Sequence, residues 1–296
     1  MANLINNIDN FLGKIIFNSF SSLRYCIFNS VIYHANLKKK LRENTIISNF
    51  NNKGFSKIKS LNSKDTLELK KIFKKENSKL QKSNDYTFRA KIDTREEKEL
   101  IKNMILNNFG EVLNDLKTYY NCNIYLTNVE FKKTFHVDKK DEKEEYFNNF
   151  FHIDSYLRTH FKIFINVSDI EEKNGPTEIF DIKKTKKIRK FNSFKNKRGS
   201  LKIPKDINSY FNIGKSGHVI LCNTSLCLHR ATNPLPQQTR ENLILTFVSY
   251  PNSFEDIFYY EKKDPESIWS QKNKITKSLA KPHRYKDIFL LTNKFI

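Results

Sequence analysis

Cysteine is scarce: only Cys26, Cys122, Cys222 and Cys227 occur, and no two of them form a CxxC pair or a zinc-finger spacing. They read as buried thiols of a reducing compartment. No run of about 18 or more uninterrupted apolar residues exists, which excludes a bilayer-spanning helix. The opening "MANLINNIDNFLGK" places Asp9 before any basic residue and cuts its apolar run with asparagines, so it lacks the form of a secretory signal. The expectation is a cytoplasmic protein. No internal repeat and no proline-rich linker divides the chain.

What is present suffices for a core, with 38% hydrophobic and 13% aromatic residues. Lys and Arg number 53 against 32 Asp and Glu, a formal charge of +21. Such an excess suits nucleic acid, an anionic membrane or an acidic substrate. Lysine outnumbers arginine about four to one, however, and Asn, Ile and Phe are also abundant, the composition an AT-rich genome writes. No module of arginine forks and stacked aromatics is present, so no specific nucleic-acid partner is expected.

Leu4, Ile8, Phe11, Leu12, Ile15 and Ile16 recur at helical spacing, and "LKKKLREN" follows with cations suited to a helix end. Residues 1–45 are expected as a helical extension that packs on the domain, with weak peripheral membrane contact as the alternative. "IISNFNNKGFSKIKSL" reads as strand, turn at Asn52–Gly54, and strand. A helix capped by Ser63 follows, then two helical runs in 94–120 broken at Gly110. From Cys122 the chain alternates, with Tyr125, Thr127, Val129 and Phe131 on one face. "FKIFINV", "GHVILCN" and "ENLILTFVSY" are β-rich. Gly175–Pro176 and Gly214–Gly217 mark turns, and residues 182–200, mostly Lys, Arg, Asn and Ser, read as an exposed loop. Short strands after a helical part predict a mainly β, α+β architecture: an antiparallel barrel or double sheet with flanking helices. The expected domain covers 46–255, with 256–296 a C-terminal extension packed on it.

In "FFHIDSYLRTHFKIFINV", His152 and Asp154 share one face of a strand. His229, in "SLCLHRATNPLPQQTR", is the third candidate. Two histidines and a carboxylate on one side of a metal form the facial triad of non-haem Fe(II) oxygenases. Arg240 begins the following apolar strand, where a guanidinium suits a dicarboxylate whose other end chelates the metal. In "FKIFINV", Ile163, Ile165 and Val167 form an aliphatic face that should pack on helices. Lys162, Phe164 and Asn166 then face the interior as co-substrate or substrate contacts, with a structural ion pair the alternative for Lys162. Thr177 and Tyr125 are weaker pocket candidates. His136, His160 and His218 read as ordinary structural histidines, and Arg230 as a structural residue turned away from the metal.

"FFHIDSYLRTHFKIFINVSDIEEKNGPTEIF" and "GHVILCNTSLCLHRATNPLPQQTRENLILTFVSY" resemble the Fe(II)/2-oxoglutarate-dependent dioxygenases, and among them the phytanoyl-CoA dioxygenase-like group. The resemblance covers about 145–251, with a looser likeness at "NNKGFSKIKSL". It implies a double-stranded β-helix (jelly roll), with His152, Asp154 and His229 as iron ligands and catalytic centre and Arg240 on the distal carboxylate of 2-oxoglutarate. Fe(II), 2-oxoglutarate and O2 are the implied cofactors, and hydroxylation of a small-molecule, lipid or sugar-type substrate the implied reaction. With Asp154 in the carboxylate position, halide has no vacated ligand site, which favours hydroxylation over halogenation. After Asn174–Gly175–Pro176 the family commonly carries Gly-Ser-His near the end of the next strand; here "IFDIKKTKKIRKF" stands instead, leaving the substrate class open. The other readings are a metal- or ligand-binding jelly roll without turnover, and a basic membrane- or nucleic-acid-associated protein.

Overall fold

The computed structural model describes residues 45–77, 81–84, 86–90, 94–120, 122–138, 144–154, 160–192 and 199–251. The two expected extensions lie outside these residues, apart from Thr45. Four helices and ten strands are described: α1 (Thr45–Lys53), β1 (Phe55–Lys57), α2 (Ser63–Asn77), β2 (Gln81–Asn84), β3 (Thr87–Ala90), α3 (Arg95–Tyr120), β4 (Cys122–Phe135), β5 (Phe161–Asn166), β6 (Thr177–Ile179), α4 (Ile182–Phe191), β7 (Tyr210–Phe211), β8 (Val219–Cys222), β9 (His229–Ala231) and β10 (Thr239–Pro251).

The strands form two antiparallel sheets, one of seven strands in the order β1-β8-β5-β10-β4-β3-β2 and one of three, β7-β6-β9. β10 lies between β5 and β4, pairing Asn242 with Asn166 on one side and with Lys132 on the other. Alternation divides the large sheet into two chemistries. On one face Phe131, Ile163, Ile165, Leu243, Leu245 and Phe247 are fully buried. They form one cluster with Phe50 of α1, Leu69 and Phe73 of α2, and Ile101, Phe109 and Leu116 of α3. Each such side chain contributes about 1.5–3 kcal/mol of burial, so this face anchors the sheet. The aliphatic face of "FKIFINV" therefore packs on helices as its alternation predicts. The opposite face carries Lys132, Thr134, Lys162, Phe164, Arg240 and Asn242.

Four local expectations are corrected. Residues 45–53 are helical, not a strand, because Ile47 and Phe50, one turn apart, both bury in the core. Gly54 closes that helix at φ 84, its N–H donating to Phe50 O, before β1 begins. Residues 95–120 are one helix: Ile101, Ile105, Phe109, Leu113 and Leu116 stay in phase across Gly110, and that burial exceeds the roughly 1 kcal/mol a mid-helix glycine costs. Within the stretch read as a loop, 182–191 form α4, whose cap Asp181 accepts from the Lys184 N–H and whose Thr185 and Ile188 are buried. Its six cations masked that two-residue inner stripe. At α2 the capping side chain is Asn62, which accepts from the Asp65 N–H, one residue ahead of the expected Ser63.

Candidate metal centre

His152 and His229 lie on neighbouring extended segments that exchange both backbone hydrogen bonds, His152 N to His229 O at 3.0 Å and His229 N to His152 O at 3.1 Å. Their side chains fall on the same side, with ring centroids 4.4 Å apart. Asp154 follows two residues after His152 and is held by its N–H on Thr224 O. Its Oδ1 stands 3.3 Å from His152 Nε2 and its Oδ2 3.4 Å from His229 Nε2. One ligand atom from each of the three residues falls within 4.8 Å of the others.

The tautomers suit a metal. His152 Nδ1 lies 2.8 Å from Phe150 O, and His229 Nδ1 lies 2.9 Å from Cys227 O. A carbonyl only accepts, so both Nδ1 atoms carry the proton and each Nε2 faces the cluster. Burial lowers the His152 pKa, favouring the neutral ring, whose Nε2 then presents a lone pair to the carboxylate. His152 Nε2 and Asp154 Oδ2 have no hydrogen-bond partner. Lone pairs aimed at a carboxylate from two sides repel unless a cation stands between them, so the donor set fits a divalent metal of imidazole and carboxylate preference.

Burial alone would push the Asp154 carboxyl up, but the Lys162 ammonium beside it holds it well below the usual carboxylate range. Lys162 Nζ sits 2.7 Å from Asp154 Oδ2, off the direction of a hydrogen bond. Lys162 thus forms an ion pair and also lines the cavity beside the triad. His160, read as ordinary, is buried with its Nδ1 unpartnered, and burial lowers it to about 4. It lies within electrostatic range of Asp154 and Lys162, which its spacing gave no reason to expect.

A cavity opens beside the triad, lined by Lys162, Phe164, Arg240, Asn242 and Ile244 of the large sheet and by Thr177 and His229 of the small one. Arg240 is 3% exposed, and its guanidinium donates to Thr232 O and Thr134 Oγ1 at 3.2 and 3.3 Å. No carboxylate pairs with it among the described residues. Burial lowers its pKa to about 10, which leaves it charged at neutral pH. Asn166 does not line the cavity; its amide donates to Gly214 O, and its carbonyl accepts from Asn242. The side chain of Tyr125 lies outside the described residues.

Arg230 pairs with Glu178 at 2.7 Å and lies over the Phe151 ring at 4.3 Å, the structural part expected of it, although it also borders the cavity. His136 Nδ1 meets Pro234 O at 2.7 Å. Sequence reasoning missed Lys132, Phe147, Asn148, Ala231, Asn242 and Ile244, which also line the cavity. Lys132 is 6% exposed and donates to Phe147 O at 3.2 Å. Burial, opposed by Glu130, lowers its pKa to about 7. The signal was alternation with buried Phe131, but only the β4–β10 register shows that this parity is Arg240's.

Two antiparallel sheets enclosing a buried His-Asp-His group define a candidate metal-binding β-protein. No family model matches the chain, and no curated protein matches it. Among solved structures it is similar to the non-heme alpha-ketoglutarate-dependent epimerase SnoN from nogalamycin biosynthesis, at 7% identity and a TM-score of 0.52, covering 71% of this chain and 84% of that one. It is also similar to HygX from Streptomyces hygroscopicus, solved with nickel, 2-oxoglutarate and hygromycin B, at 12% identity and a TM-score of 0.44 over 71% and 87%. EctD from S. alaskensis, solved with bound Fe, gives 9% and 0.46 over 68% and 74%. At 7% identity the likeness to SnoN is one of fold. No described helix is long and apolar enough to cross a membrane.

Proposed function

We propose that this protein is an Fe(II)- and 2-oxoglutarate-dependent oxygenase that hydroxylates a small organic molecule, with lipid and sugar-type substrates included, in the cytoplasm. Its two sheets are then the halves of a double-stranded β-helix. The observation that carries the reading is a His-Asp-His donor set, both imidazoles turning Nε2 toward the carboxylate, sharing one cavity with a buried guanidinium that has no acid partner among the described residues. The shared fold with SnoN, an alpha-ketoglutarate-dependent enzyme, supports it. The resemblance of the stretches around His152 and His229 to the phytanoyl-CoA dioxygenase-like group supports a reading within that group.

In this reading His152, Asp154 and His229 hold the iron, and Arg240 holds the far carboxylate of 2-oxoglutarate. Bound iron and 2-oxoglutarate supply, with O2, the oxidising power that releases succinate and CO2 and oxidises the substrate. The chain's residues do the positioning. Lys162 keeps Asp154 ionised, the two Nδ1–carbonyl bonds fix the imidazoles, and Phe164 and Ile244 exclude water from the wall between the ligands and Arg240. Thr177 lines the small-sheet side, where a co-substrate or substrate polar group passes.

The test is succinate formation from labelled 2-oxoglutarate with Fe(II) and O2, which needs no knowledge of the primary substrate. Uncoupled turnover by the wild type that vanishes in His152→Ala is expected. A wild-type rate no higher than that of the variant would overturn the reading.

A further inference from the structure

Four cationic side chains line the cavity: Lys132, Lys162, Arg230 and Arg240. Two are neutralised, Lys162 by Asp154 and Arg230 by Glu178, each at 2.7 Å. Arg240 and Lys132 have only neutral hydrogen-bond partners among the described residues, Thr232 O and Thr134 Oγ1 for the first and Phe147 O for the second. Glu130 lies within electrostatic range of Lys132 but pairs with Arg89 at 3.4 Å. The two cations are diagonal neighbours on one sheet face, since Arg240 opposes Thr134 and Asn242 opposes Lys132.

A buried lysine with one carbonyl for three donors is costly, and a second buried cation beside it raises the cost. Such a group is tolerated where an arriving anion removes the penalty. We propose that Lys132 is a second anion-binding residue of this cavity, set beside Arg240 to take carboxylate or phosphate oxygens. This rests on the oxygenase reading for its biological meaning, though not for its chemistry. The anion has two sources, the far carboxylate of the co-substrate and an acidic group on the primary substrate. One carboxylate brings one negative charge to two cations, which favours an acidic primary substrate as the second source.

The experiment is calorimetric titration of the full-length chain, as wild type, Lys132→Met and Lys132→Arg. Inorganic phosphate is titrated into metal-free protein, and 2-oxoglutarate into Mn(II)-loaded protein. Phosphate is then titrated into protein saturated with both Mn(II) and 2-oxoglutarate. The expected result is phosphate binding to wild type that Lys132→Met weakens roughly tenfold or more and Lys132→Arg largely keeps. If Lys132→Met leaves 2-oxoglutarate affinity alone but removes phosphate binding from the saturated protein, the acidic group belongs to the primary substrate. If it weakens 2-oxoglutarate instead, Lys132 shares the co-substrate's carboxylate with Arg240. Wild type that binds 2-oxoglutarate no better with Mn(II) than without would sink the oxygenase reading, while the metal-free phosphate arm still decides the subsite. A folded Lys132→Met that matches wild type for both ligands overturns the proposal and makes the lysine a tether for Phe147. Should Lys132→Met not fold, Lys132→Gln, which keeps a donor for Phe147 O, carries the same comparison.

Discussion

Lys162 Nζ stands 2.7 Å from Asp154 Oδ2, so a β5 lysine holds the carboxylate of a segment that leaves no regular strand around it. The pair is mostly buried, with side-chain exposures of 17% and 11%. Lys162→Met removes the cation and leaves Asp154 beside two imidazoles. The metal-free variant is expected to lose about 3 kcal/mol. A divalent metal should restore much of that loss, since it supplies the missing positive charge. Thermal melts with and without Mn(II) check this; equal loss in both conditions would mean the carboxylate does not face the metal.

The paired histidines set the stoichiometry. Purified without oxygen, the wild type is expected to bind about one Fe(II) per chain, as three donor residues form one site. His152→Ala and His229→Ala should each abolish it. Iron content by elemental analysis decides the matter, and variant iron equal to wild type would dismiss the triad.

Arg240 lies beyond the reach of the metal's own ligands, so its loss separates co-substrate from iron. Arg240→Ala is expected to retain Fe(II) and to require roughly thirty-fold or more extra 2-oxoglutarate, the effect of a lost charge-assisted contact of about 2–5 kcal/mol. Arg240→Lys should recover part of this, keeping the charge without the fork. Succinate release measured against 2-oxoglutarate concentration is the assay, and an unchanged dependence would show that the anchor lies elsewhere.

The pH dependence of stability follows from Lys132, whose pKa burial lowers from 10.5 to about 7. Between those values the unfolded chain holds the proton that the folded chain has lost, so the folded state gains as pH rises from 7 toward 10. Below pH 7 both states are protonated and the full desolvation cost is present. Melting temperatures of the ligand-free wild type should therefore climb across this window relative to Lys132→Met. Parallel curves for the two proteins would show that no charge is buried there.

Gly175 adopts φ 67, and a Cβ there would lie 2.5 Å from both Thr232 O and Pro234 N. Thr232 O is one of the two acceptors that hold Arg240. Gly175→Ala is expected to destabilise by about 1–2 kcal/mol from the left-handed backbone alone, with the close approach adding to it. It should also weaken 2-oxoglutarate binding by displacing the carbonyl. Urea denaturation and the succinate assay read the two effects; intact stability would mean the turn relaxes freely.

His152, Asp154, His229 and Arg240 were legible because their types are rare in apolar strands, and alternation assigned the two faces of "FKIFINV" from sequence alone. Local pattern failed where burial was sparse or long-range. Ile47 and Phe50 form a helix because α3 and the sheet offer them a core, and α4 rests on Thr185 and Ile188 beneath six cations. Composition and spacing thus determined the β-rich class, the candidate ligands and the inward face of β5. Only the tertiary structure decided that Lys162 pairs with Asp154, that both imidazoles carry their proton on Nδ1, and that Lys132 stands beside Arg240. Those relationships depend on register between strands far apart in the chain. A one-residue shift would turn each of these side chains to the other face.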